Sequence, residues 1–125
     1  MLTEARHAWF KSRDARAGLS PTDIIGMLAH SARTAGRLLG RTLGRLEPGA
    51  AADLVVTDYV PATPLTSENA AGHVLFALGP QHVHDVLIDG AWALRSRKPV
   101  SIEASSVLHR APAVAAELWR RMQGL

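Results

Sequence analysis

Residues 43–59 constrain the fold most, because they carry the first strong β-strand signals after a long stretch of helical pattern. Pro48-Gly49 is a turn dipeptide, since proline presets φ at the first central position and glycine adopts a positive φ without strain. Leu54-Val55-Val56 is apolar, rich in β-branched residues and too short for a helix. We therefore predict a β-hairpin in which residues 43–46 form the first strand and 54–56 the second.

A second strand pair is predicted further along the chain. Val83 to Gly90 has the period of two that is typical of a strand, Asp89-Gly90 is a hairpin turn signal, and Ala91 to Leu94 reads as the returning strand. We expect six apolar residues of these strands to be substantially buried: Leu54, Val55, Val56, Val86, Ile88 and Trp92.

Helical patterns account for most of the remaining chain. Leu2 to about Ala17 is amphipathic, and Ser20-Pro21-Thr22-Asp23 carries the start signals of a second helix that closes at Gly40 or Gly44. The sequence leaves open a break in that helix near His30-Ser31. Between the strand pairs, residues 60–69 read as an ordered loop with two prolines and 69–78 as a short helix. The last helix spans residues 101–122, and Pro112 is expected to kink or divide it.

Several of these segments together resemble the metal-dependent amidohydrolases. The pattern of Gly44, Pro48-Gly49, Ala52-Asp53-Leu54-Val55-Val56 and Asp58 resembles the segment that returns the chain from the catalytic barrel to a small β domain. The Pro-x-x-Pro-Leu loop at 61–65, followed by Asn69 and by Gly-His-Val-Leu-Phe at 72–76, is similar to the cytosine deaminase, chlorohydrolase and aminohydrolase branch. Val83–Gly90 resembles that family's next strand.

The resemblance implies a fold class and a division of the chain. The fold would be an α+β fragment: terminal helices of a (β/α)8 barrel, followed by strands of the small composite β-sandwich domain and by a C-terminal helix. Residues 1–42 would be the barrel helices, 43–100 the composite β-domain segment with an inserted short helix, and 101–125 the C-terminal helix.

The resemblance also implies a function for the whole enzyme. It would be a hydrolase of carbon-nitrogen bonds other than peptide bonds, or of carbon-halogen bonds, in small cyclic or amidine-type substrates, with a divalent metal, zinc or iron, in a full-length member. The family's metal ligands would lie upstream of Met1, so the chain alone is expected to be structural and inactive, with no catalytic, cofactor-binding or metal-binding residue. Its expected partner is the missing barrel portion or a second copy of itself. The alternative is a free-standing α+β module that binds a partner without catalysis.

Six histidines raise the question of a metal site within the chain itself. His82 and His84 alternate on a predicted strand, point the same way, and could share a zinc ion with Asp85 or His73. The competing interpretation is that they begin an edge strand of the small domain, far from the barrel. The histidines that stand singly on predicted helices are more typical of surface or packed imidazoles: His7, His30, His73 and His109.

Composition and charge exclude several classes of protein and of binding site. The chain has no cysteine, which excludes disulfides and thiolate metal sites, and no apolar run approaches the roughly 20 residues of a membrane span. Without an N-terminal signal pattern, we expect a cytoplasmic protein. Lys and Arg are confined to residues 1–45 and 95–125, and the middle is acidic. This pattern favours basic helices around an acidic sheet, whereas only 5% aromatic residues argue against a nucleic-acid surface.

The two N-terminal helices carry many large apolar residues for a chain of this length. If they normally cover a barrel, the chain alone is expected to self-associate or fold only in part, with its first 40 residues least stable. The residues behind this expectation are Trp9, Phe10, Ile24, Ile25 and Leu28.

Overall fold

The computed structural model describes residues 2–124 and has an α+β fold. Within this described range, four α-helices and a four-stranded antiparallel sheet form the fold. A π-helical turn, His73–Ala77, continues from α3, and a 3₁₀ turn, Pro80–His82, leads into β2. In chain order the numbered elements are α1 Leu2–Asp14, α2 Pro21–Leu39, β1 Leu54–Thr57, α3 Ala70–Gly72, β2 Val83–Ile88, β3 Ala91–Arg95, β4 Lys98–Pro99 and α4 Ala104–Gln123.

Local chemistry determines both ends of α2. Ser20 accepts a hydrogen bond from the Asp23 amide at 3.2 Å, and the Asp23 carboxylate accepts one from the Ser20 amide at 2.8 Å, which completes a capping box. The Ser20 hydroxyl, 2.7 Å from the Asp23 carboxylate, and the Ser20 amide both donate to it and hold the pKa of Asp23 below its ordinary value. At the other end Gly40 takes a left-handed conformation with φ of 64°, and the helix is continuous through His30.

The helices enclose the buried hydrophobic core. Among the described residues, Ala5 on α1, Ile24 on α2 and Leu75 on the π-helical turn are at most 3% exposed. Arg6 on α1 reinforces this junction, because its Nε donates to the Leu75 carbonyl at 2.7 Å and its Nη2 to the Leu78 carbonyl. The N-terminal helices were expected to leave their large apolar residues uncovered, but Ile24 is buried within this chain. Partly buried side chains surround this core: Trp9, Leu19, Ile25 and Leu28.

The sheet follows chain order, with β2 between β1 and β3 and with β4 at the edge. Asp89 and Gly90 both have positive φ, 51° and 77°, as a two-residue turn between β2 and β3 requires. This turn and its two strands were predicted from the sequence. Ser96 and Arg97 repeat the positive-φ turn at 50° and 63°, and they lead into β4, which the sequence analysis did not anticipate.

Two expectations for the sheet were wrong. Residues 43–46 do not form a strand, and β1 pairs with β2 instead of with them. Gly44 has φ of 70° and lies so close to α2 that a Cβ there would approach the Ala32 Cβ to 2.5 Å, so this segment folds back over the helix. The expected burial was also wrong for four residues, because the described sheet leaves 40% or more of each exposed: Val55, Val56, Ile88 and Trp92.

The last helix, α4, is continuous through Pro112, so of the two alternatives expected there, a kink or a division, the division was wrong. The Glu103 carboxylate caps it by accepting from the Ser105 amide at 3.2 Å. All residues of α4 are partly or fully exposed. No helix within residues 2–124 has both the length and the apolar character needed to cross a membrane.

Candidate functional site

His82 and His84 are both occupied by local hydrogen bonds. His82 ends the 3₁₀ turn, and its Nδ1 accepts the Gly79 amide at 3.0 Å. His84 lies on β2 with its Nδ1 2.8 Å from an oxygen of Asp85. Between residues 2 and 124, no three His, Asp or Glu side chains come together as a metal would require. The structure therefore joins His84 to Asp85 but does not assemble the predicted set with His82 or His73.

Asp85 is the acceptor that ties β2 to the β3–β4 turn. Besides its contact with His84, its second carboxylate oxygen accepts the Ser96 amide at 2.7 Å. Both hydrogen bonds favour the ionised form, with that from His84 the stronger, and they lower the pKa of Asp85 from its ordinary value. Since this turn has positive φ at Ser96, the carboxylate stabilises a conformation that a non-glycine residue rarely adopts.

His73 forms a three-residue polar cluster that the sequence analysis missed. Its Nδ1 lies 2.6 Å from the Tyr59 hydroxyl, and its Nε2 lies 3.1 Å from the Thr63 hydroxyl. The ring of Tyr59 also meets His82 edge-on, with centroids 5.2 Å apart. Both imidazole nitrogens are satisfied, so the cluster links the loop after β1 to the π-helical turn and could pass a proton between two hydroxyls. The His73 imidazole is its general base by residue type, and no carboxylate or thiol is among the three residues.

This cluster could not be predicted from periodicity, because Tyr59, Thr63 and His73 belong to an irregular loop and the turn that follows it. A possible signal was the pair of prolines, Pro61 and Pro64, which stiffen that loop and limit the conformations in which it returns to the short helix. His73 was instead predicted to stand alone.

A basic cavity of about 580 Å³ lies where the chain folds back over the C-terminal end of α2. Two of its guanidinium groups are in ion pairs, Arg41 with Asp89 and Arg45 with Glu47. The first pair raises the pKa of Arg41 and lowers that of Asp89. The excess positive charge favours an anionic group or an acidic surface there. The cationic side chains that line the cavity are Arg33, Arg37, Arg41 and Arg45, with His30 beside them.

Comparison of the sequence with known proteins identifies its family. The model of the Amidohydrolase family matches residues 1–93. The chain belongs to the amidohydrolase family. The match takes in both N-terminal helices, the π-helical turn and most of the sheet, and it ends before α4.

Three curated relatives carry the name 5-methylthioadenosine/S-adenosylhomocysteine deaminase. The protein from Natronomonas pharaonis is 30% identical over 111 residues, which are 89% of this chain and 25% of the relative. The one from Haloarcula marismortui is 28% identical over 97% of this chain and 28% of its own length. The chain thus spans about a quarter of the relatives it matches. No solved structure matches it significantly.

Proposed function

We propose that this chain forms the C-terminal portion of an amidohydrolase that hydrolyses carbon-nitrogen bonds other than peptide bonds, and that its own part in the enzyme is structural. Helices α1 and α2 would be the last helices of a (β/α)8 barrel. The strands β1 to β4 would belong to a small composite β domain. The similarity to a deaminase covers 89% of this chain but only a quarter of the deaminase, and this supports the assignment.

The exposed apolar residues of the sheet are the structural observation that carries the proposal. Val55 is 61% exposed and Ile88 60% exposed, although both lie on strands with the composition of a core. A sheet of this kind is typical of a domain completed by further strands or by a packed neighbour. The large apolar residues of the sheet would then be buried in the complete enzyme rather than in this chain alone.

A divalent metal is implied by the family, and the residues described here do not fit one. His82 accepts a backbone amide, His84 contacts Asp85, and no third ligand stands beside them within residues 2–124. The metal ligands of the enzyme would therefore come from other parts of the polypeptide. This chain's contribution is to hold the helices and the sheet that support the barrel.

The substrate class proposed for the enzyme is a small cyclic compound with an amidine-type amino group. The name shared by the curated relatives, which describes deamination of two adenosine derivatives, supports this class. The reaction would replace the amino group with oxygen from water and release ammonia.

A chimera provides the experiment. The matching 111 residues of the Natronomonas relative are replaced by the corresponding part of this chain, and ammonia release from 5-methylthioadenosine is measured. We expect deaminase activity to persist, and to persist when His82→Ala and His84→Ala are added. The isolated chain is expected to show no turnover with zinc or iron. Zinc-dependent turnover by the isolated chain that is lost in His82→Ala would contradict the structural role.

A free-standing binding module is the second candidate, and the closed helical core favours it. Ile24 is 1% exposed and Leu75 fully buried, so α1, α2 and the π-helical turn form a core without any other chain. This candidate predicts an inactive chimera together with cooperative unfolding of the isolated chain. Strong amide-exchange protection across residues 2–35 would accompany it.

A further inference from the structure

The surface of α4 carries an apolar stripe that this chain leaves uncovered. Val107 is 55% exposed, Val114 64% and Leu118 57%, and with Ala111 and Ala115 they line a shallow groove along the helix. The match to the amidohydrolase family ends at residue 93, so this helix lies outside the matched region. The similarity to the Haloarcula relative covers 97% of the chain and so includes most of α4, but the family match itself gives no role to the stripe.

The spacing of the stripe is the same when it is read from either end. Val107, Ala111, Val114 and Leu118 are separated by four, three and four residues, which is the alternation of a coiled-coil seam. When two such helices lie antiparallel about a two-fold axis, Val107 faces Leu118 of the second copy. Ala111 then faces Val114 of the second copy. Each layer pairs a smaller with a larger side chain, so the two stripes interdigitate.

We propose that α4 is a homodimerisation surface, on which a second copy of this chain lies antiparallel with its own apolar stripe against this one.

The charges beside the stripe fit the same antiparallel arrangement. Arg110 and Glu117 each precede a stripe residue, at Ala111 and Leu118, and occupy equivalent flanking positions. In the antiparallel pair Arg110 lies beside Glu117 of the second copy, and the two-fold axis repeats this ion pair. A parallel pair would place Arg110 beside Ala115 instead, without an ion pair. Within its own helix, Glu117 already pairs with two arginines: the Nε of Arg121 lies 2.9 Å from one carboxylate oxygen, and Arg120 contacts the other.

Pro112 is compatible with this surface. At 100° per residue its ring points well away from the centre of the stripe, so the helix position without an amide donor does not face the second copy. The helix remains continuous across Pro112. The seam is only three turns long, so the buried area lies at the low end for specific interfaces and the dimer should depend on concentration.

The mass of the full chain over a concentration series tests the proposal. By sedimentation equilibrium, the mass should rise from 13.4 kDa toward twice that value. Val114→Asp should keep the chain monomeric, because it places an unpaired charge in each central layer. Arg110→Glu alone, or Glu117→Arg alone, should raise the dissociation constant by about tenfold, since both ion pairs become repulsive.

Charge exchange separates this dimer from any other use of the helix. Mixing the Arg110→Glu chain with the Glu117→Arg chain recreates both ion pairs, so the mixture should dimerise as the unsubstituted chain does. The double variant should also recover as a homodimer. His109→Glu places a glutamate on the opposite side of α4 and should change nothing. Circular dichroism verifies that each variant keeps its helices.

Three outcomes would overturn the proposal. One is a chain that stays at 13.4 kDa at every concentration. Another is a dimer that persists in Val114→Asp, which would locate the contact on a different surface. The third is failure of the mixture to recover, which would assign the stripe to another part of a longer polypeptide. None of these results depends on deaminase activity, so they test the dimer independently of the proposed function.

Discussion

Two glycines of α2 make a matched test of the fold-back segment after that helix. A Cβ added at Gly36 would lie 2.5 Å from the Arg41 carbonyl oxygen and 3.3 Å from the Leu43 amide, which are backbone atoms. A Cβ added at Gly26 would meet nothing within 4 Å. Alanine is favoured over glycine inside a helix by about 1 kcal/mol, so both substitutions gain that amount. Overpacking against backbone costs about 1–3 kcal/mol at Gly36 alone.

We therefore expect Gly26→Ala to raise the free energy of unfolding by about 0.5–1 kcal/mol and Gly36→Ala to lower it by about 1 kcal/mol. Urea unfolding followed by tryptophan fluorescence and by circular dichroism measures both on the same chain. The difference between the two variants, about 2 kcal/mol, is more reliable than either value because helix propensity cancels. Equal stabilisation by both substitutions would refute the close packing of residues 41–43 on α2.

Three further predictions concern the core, the sheet and pH. Leu75→Ala should lower the free energy of unfolding by about 2–4 kcal/mol, because it leaves a cavity at a fully buried site; a change below 1 kcal/mol in urea unfolding would contradict that core. Val55→Asp should change the stability of the isolated chain by less than about 1 kcal/mol, since Val55 is 61% exposed, and a large loss of thermal stability would restore the core-strand interpretation. Because its pKa is lowered in the folded chain, Asp85 stabilises the fold above its unfolded pKa, and this stabilisation is lost as pH falls through the folded pKa. Asp85→Asn should therefore weaken the pH dependence of the free energy of unfolding across the acidic range, measured by urea unfolding at several pH values. An unchanged pH dependence would count against the His84 and Ser96 contacts.

The elements predicted correctly from the sequence are those whose ends are decided by neighbouring residues. Ser20 and Asp23 satisfy the first amides of α2 themselves, and Asp89-Gly90 supplies the two positive φ values that a tight hairpin needs. In each case the chemistry is complete within four residues, so no knowledge of the rest of the fold is required. The family resemblance was confirmed as well, since it depends on several such segments in order.

The errors fall where a distant part of the chain decides the outcome. Residues 43–46 alternate as a strand does, but the close approach of Gly44 to Ala32 turns them back over α2. Val55 lies opposite Val86 through the pairing of β1 with β2, but periodicity alone does not reveal that no described part of the chain covers Val55. The Tyr59, His73 and Thr63 cluster was missed for the same reason, because its contacts span 14 and 10 residues.

The contacts of Arg6 have a consequence for the order in which the chain folds. They join α1 to carbonyls 69 and 72 residues away, whereas the β2–β3 hairpin forms between adjacent segments. Closing so long a loop costs more entropy than closing a two-residue turn, and contacts of high sequence separation slow folding. We therefore expect the hairpin to gain hydrogen-exchange protection early in refolding. Docking of α1 through Arg6 would then be the slow step that completes the helical core.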